Sequence, residues 1–274
     1  MPLAAFAVLK YLLGLAFGSF ANVVIWRFPR GESLSSPPSH CPVCDTPIRW
    51  YDNVPVVSWL ALRGRCRSCA TRISPRYPTV ELLGGVLWLA AALEFGVSAR
   101  AVAAAVFFYL LLILAFIDLD TMRLPNAIVG LLAAIGLAGS LVAQFSGTSL
   151  VPLLDLGGWL AAPLVGSIVG ALVSGGLALA IAAAYSAVRK ASGFGMGDVK
   201  LLLAIGVFLG PYGIMVLFLG SLAGAFVGIA LASRKGGSLT MRYPFGPFLA
   251  AAAVVVALVG PSVWSWYLGL AGVA

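Results

Sequence analysis

The chain has 274 residues, of which 61% are hydrophobic and 9% charged, against about 25% charged in soluble domains. That balance excludes a soluble globular enzyme. The net charge of +8 would suit a nucleic-acid binder, but the basic residues fall in short loops between apolar runs, the pattern that orients membrane proteins.

Apolar runs long enough to cross a bilayer core of about 30 Å recur along the chain. Eight spans are expected, at 3–24, 79–96, 101–117, 126–145, 157–188, 199–210, 212–233 and 244–272. The first is too long for a cleaved signal and has no charged stretch ahead of it, so it reads as a permanent span. The fifth is long and Gly-rich. The sixth is short and stops at "GPYG", which suggests a half-span. The expected fold is an all-α polytopic membrane protein divided into a first span (1–24), a small insert (25–78) and a membrane domain (79–274).

Arginine and lysine then set the sidedness. The loop 25–78 holds Arg27, Arg30, Arg49, Arg63, Arg65, Arg67, Arg72 and Arg76, and alternate loops bring the total on that side to fifteen of the 17 basic residues. Arg100 faces the other way, and Lys10 lies inside the first span, where its chain can snorkel outward. Positive loops stay in the cytoplasm, which puts the insert inside and both termini outside.

All four cysteines lie in the insert, as "CPVC" (Cys41, Cys44) and "CRSC" (Cys66, Cys69), the two pairs separated by 21 residues. Two such knuckles aim four thiolates at one point and complete a closed tetrahedral zinc site of structural type. A disulfide suits a reducing cytoplasm less; a redox pair or unligated thiols are the alternatives. His40 adjoins the set and reads as a solvated loop residue. So small an insert would draw its folding energy from the metal.

Only nine residues are acidic. Glu32, Asp45, Asp52 and Asp155 read as solvated, Glu94 sits near Arg100, and Glu81 in "YPTVELLGG" is expected to cap its helix. Asp118 and Asp120, in "ILAFIDLDTMRLPN", end an apolar run. Asp198, in "SGFGMGDVKLLLAIG", opens another after glycines 193, 195 and 197. On the topology above all three reach the cytoplasmic edge of the bilayer, where an ionisable residue is a functional candidate by default. They could instead merely mark helix ends, Asp198 as an N-cap with Lys200 beyond it. That alternative suits Asp120 best. For Asp118 and Asp198 it leaves unexplained the three glycines, which clear space for an extended peptide backbone. Two facing carboxylates share one proton, hold a water and cleave amides. An intramembrane aspartyl peptidase is therefore expected, ahead of a proton-coupled transporter using the pair as a relay and of an assembly factor that docks through its zinc insert.

Six stretches in this order resemble the bacterial type IV prepilin peptidases (leader peptidase/N-methyltransferases), GxGD-type intramembrane aspartyl proteases. They are "GSFANVVIWRFPRGESLSSPPSHCPVC", "IRWYDNVPVVSWLALRGRCRSC", "ISPRYPTVELLGG", "IDLDTMRLPN", "GFGMGDVKLLLAIG" and "YPFGPFLA". The resemblance implies catalytic roles for Asp118 and Asp198; Gly193, Gly195, Gly197, Asp120 and Lys200 are read beside them as substrate-approach or supporting residues. It implies a protein of the bacterial inner membrane that removes the short basic leader of prepilins and pilin-like secretion subunits. It also implies methylation of the new N-terminus with S-adenosylmethionine. Nucleic acid is not an expected partner. Two departures stand out: "LPN" places Asn126 where the family usually has aspartate, and the outer loop near 146–158 is longer.

Overall fold

The structure, a computed structural model, describes residues 2–148, 150–154, 157–189, 195–235 and 243–270. Regular structure among these is helical: α1 (Leu3–Arg27), α2 (Val57–Ala61), α3 (Arg76–Phe95), α4 (Ala99–Thr121), α5 (Asn126–Ser146), α6 (Pro163–Arg189), α7 (Met196–Leu209), α8 (Gly213–Lys235) and α9 (Gly246–Leu270). The described residues contain no strand, and isolated bridges join His40 to Pro47 and Arg65 to Arg72.

Among the described residues, seven stretches are long and apolar enough to cross a membrane. The expected sixth and seventh spans fall within one of them, Met196–Ala230. Within it, α7 has 14 residues, or about 21 Å at 1.5 Å per residue, too short to cross by itself. It ends where Gly210 turns to φ +60° and Pro211 enters a 3-10 turn. Near the expected fifth span, residues 158–161 form a 3-10 turn and α6 begins only at Pro163. The helix holding the expected third span runs on to Thr121, so Asp118 lies within its last turn.

Contacts divide the chain into two compact units, Met1–Ile113 and Leu114–Ala274. In the first, α1 and α3 run antiparallel through facing glycines. A Cβ on Gly14 would lie 2.5 Å from the Gly84 carbonyl oxygen, and one on Gly18 2.7 Å from the Glu81 Cα. Small residues let backbones approach this closely in lipid, where hydrophobicity does not drive helices together. Gly18→Val is therefore expected to destabilise the protein by at least about 1–3 kcal/mol through overpacking against backbone, read as earlier thermal unfolding in detergent. Phe17 stacks on Trp88 at 4.7 Å and meets Tyr109 edge-on at 5.5 Å. Lys10 does not snorkel. It is buried, its Nζ 5.2 Å from the Trp88 ring and 5.3 Å from Phe6, so aromatic faces supply what headgroups would have.

In the second unit α7 is the central helix. It is apolar all round, and from Val199 to Leu209 only Lys200 and Leu203 are not buried, as expected of a helix with neighbours on every side. Gly206 meets Gly170 of α6, Gly136 of α5 meets Val207 and Phe208, and α8 meets α9 through Gly220 against Leu249 and the residue ahead of α9, Phe245, through Gly224. The backbone N–H of Leu153 donates to the Phe208 carbonyl at 2.7 Å, tying the connection between α5 and α6 to the C-terminal end of α7.

Candidate active site

Asp118 comes from the last turn of α4, after a run of buried side chains from Phe107 to Leu114 broken only by Tyr109. It is 5% exposed, and its Oδ2 accepts the backbone N–H of Gly246 at 2.8 Å, from 128 residues further along. Gly246 is the first residue of α9, so the carboxylate sits at the positive end of a helix dipole. A Cβ on Gly246 would lie 2.8 Å from that same oxygen. Glycine is required here by the carboxylate itself.

Asp198 repeats the arrangement on another helix. It lies in the first turn of α7, whose N-cap is Gly195 and makes no side-chain cap bond. Asp198 is thus not the N-cap; it is the third residue of the helix. It is half-buried, and a Cβ on Gly195 would lie 2.7 Å from its Oδ2. Although 80 residues apart in sequence, Asp118 and Asp198 are within electrostatic reach of each other. Each is backed by a glycine and by a helix N-terminus. Such a pair can share a proton and hold a water between them.

The other expected site residues fall around this pair. Asp120 is exposed two residues beyond Asp118. The Lys200 Nζ donates to the Asn126 Oδ1 at 3.0 Å, tying the start of α7 to the start of α5 with an amide where the family resemblance suggests a carboxylate. The neighbours of Gly195 and Gly197 belong to the protein: Asp198 for the first, Leu124 at 3.3 Å for the second. Gly193 lies outside the described residues. Gly246 is not among the expected site residues; the sequence signal for it is the Pro-Phe-Gly-Pro run that opens α9.

The insert carries a second cluster. The four Sγ atoms of Cys41, Cys44, Cys66 and Cys69 lie within 4.8 Å of one another, Cys41 and Cys69 at 3.8 Å. A tetrahedron with metal–sulfur distances of about 2.3 Å has edges of about 3.8 Å, so the thiols fit a metal. The knuckles are built alike. Asp45 and Ala70, each four residues after the first cysteine of its pair, have φ of 52° and 56° and donate N–H to the Cys41 and Cys66 carbonyls. Thr46 bonds to Cys44 draw that thiol down to about 6, toward the thiolate that metals bind. Beside the cluster Arg67 grips Asp52 through Nε and Nη2, at 2.6 to 3.1 Å, holding that carboxyl below its ordinary range.

Residues 12–95, which include the cysteine insert, match the model of the bacterial peptidase A24 N-terminal domain, and residues 105–229 match the type IV leader peptidase family. The chain belongs to the type IV leader peptidase family, as a multi-pass member. Full-length relatives are prepilin leader peptidase/N-methyltransferases. The one from Aeromonas hydrophila is 37% identical, covering 95% of this chain and 93% of its own length. That of Neisseria gonorrhoeae is 34% identical, covering 97% and 96%. A Myxococcus xanthus relative is 51% identical over 48% of this chain and 40% of its own. No solved structure matches the chain.

Proposed function

We propose that this chain is an intramembrane aspartyl endopeptidase that removes the basic leader from type IV prepilins and pilin-like secretion subunits. The observation that supports the proposal is that Asp118 and Asp198 come within electrostatic reach of each other, each beside its own glycine and helix N-terminus. One carboxylate takes a proton from a water held between them while the other, protonated, donates to the scissile carbonyl oxygen. The hydroxide adds to the carbonyl carbon. Collapse of the resulting diol breaks the C–N bond, and the leaving amine takes a proton from the dyad.

The arginine-rich side of the spans supports a cytoplasmic cut at the inner membrane. A prepilin keeps its leader in the cytoplasm and its apolar helix in the bilayer, so the bond to be cut lies at that boundary. Zinc is the metal that suits four thiolates at these distances, in a structural role. The N-methyltransferase names of the full-length relatives support a second step, transfer of a methyl group from S-adenosylmethionine to the new N-terminus. Labelled cofactor incubated with processed pilin tests that step, and unlabelled product would leave a peptidase alone.

Co-expressed with a type IV prepilin, the chain is expected to shorten it by its leader, seen as a gel shift; a precursor that stays full length contradicts the reading. Gly246→Ala is expected to lower the rate by about 10²-fold, because its methyl would displace the Asp118 carboxylate by around an ångström. Initial rates on a prepilin in detergent check this.

A further inference from the structure

The insert is anchored lower than a soluble domain would be. Trp26, at the end of α1, is 52% exposed with the Arg30 guanidinium 3.6 Å over its ring, and Tyr77, at the start of α3, is 43% exposed. Aromatic residues of this kind mark the membrane–water boundary. The Asn22 side chain on α1 donates to the Tyr77 carbonyl at 3.1 Å, which sets Tyr77 about one helical turn below Trp26. Glu81 lies one turn further into α3, about 6 Å deeper. It is buried, and instead of capping α3 its Oε2 accepts the backbone N–H of Val56 at 2.6 Å. Val56 is held at φ +61°, a strained setting for a β-branched residue, and it is the N-cap of α2.

So α2 starts at or below the aromatic boundary, and it is built inside out for water. Its exposed residues are apolar: Val57 at 61% and Leu60 at 62%, with Val54 just ahead at 40%. Its polar residue is the buried one, since the Ser58 hydroxyl accepts the Val54 N–H and donates to the Tyr51 carbonyl. The backbone N–H groups of Val54, Val56, Val57, Ser58 and Leu60 all have partners within the protein, the condition a segment must meet where water is scarce. Exposed Arg63 and Arg65 follow directly.

We propose that residues 54–60 form an interfacial segment whose apolar face is seated in the headgroup–acyl boundary of the bilayer that α1 and α3 cross. Glu81 holds it at that depth, and Arg63 and Arg65 lie on anionic headgroups. A basic leader peptide is the wrong partner for this face, because the arginines repel it; anionic lipid is complementary. The inference stands apart from what the aspartates do.

The test uses the full chain in vesicles of phosphatidylethanolamine and phosphatidylglycerol brominated high on the acyl chains. The emission added by Val57→Trp over the wild type is read, with bound metal per chain as the check on folding. Most of the added emission should be quenched by the brominated lipid and little of it by aqueous iodide. Leu60→Trp, one turn on, should give the same reading. Added emission that iodide quenches and brominated lipid does not would overturn the proposal, and so would protection from iodide that appears only when prepilin is added.

Discussion

Replacing either Asp118 or Asp198 by asparagine is expected to bring leader removal down by about 10²–10⁴-fold, the range a positioned acid or base contributes. The change is nearly isosteric, so the protein should still fold and enter the membrane. In Asp118→Asn the Gly246 N–H would retain an acceptor in the new amide oxygen, and in Asp198→Asn the amide would keep its place in the first turn of α7. Chemistry is lost rather than structure, because an amide neither accepts a proton from water nor shares one with its neighbour. Residues that act as a unit are not additive. The double variant should therefore be no slower than either single one, whereas two independent contributors would multiply their losses. Asp120→Asn should be milder, since Asp120 is exposed two residues away on the helix. Single-turnover processing of a prepilin in detergent or liposomes measures all four chains.

The second large effect concerns the metal. Cys41→Ser or Cys66→Ser removes one of four thiols that lie within 4.8 Å of one another. A structural zinc supplies about 10–16 kcal/mol of binding free energy that is also folding free energy, and the insert has little else. Within 28–75 only Cys41, Ser58 and Gly64 are buried. Bound metal should fall from about one per chain to nearly none, and limited proteolysis should then cut within 31–72. The helices α1 and α3 should survive, because their glycine-mediated packing is independent of the knuckles. Full metal content in either variant would show that the four thiols do not form one site.

Much of this was legible in the sequence because it rests on local rules. An aspartate at the end of an apolar run, two C-x-x-C pairs and spans of bilayer length are visible one residue at a time. What the sequence hid was pairing over distance. Gly246 looks like an ordinary turn glycine, and only the fold brings it against Asp118, 128 residues away. Glu81 sits where a helix-capping acid should, yet its partner is the Val56 amide on another segment. Asn126 reads as a departure from a family pattern until Lys200 is seen to donate to it. Lys10 shows the same limit in energetic form. Snorkelling is the general expectation for a cation in a span, but the rings of Phe6 and Trp88 give it a closer partner. The shortness of α7 and its division from α8 were readable from "GPYG", but its central place among the helices is a packing outcome, invisible to hydropathy.

The most direct test is whether residues 118 and 198 lie side by side. A protease site inserted after Gly147, between α5 and α6, would divide the chain so that the C-terminal part has no cysteine except one introduced at 198. In the Asp118→Cys/Asp198→Cys variant a short thiol-reactive bridge should hold the two parts together after cleavage, on a denaturing gel. The Asp198→Cys variant alone should fall apart. Two parts that separate equally in both variants would contradict the account.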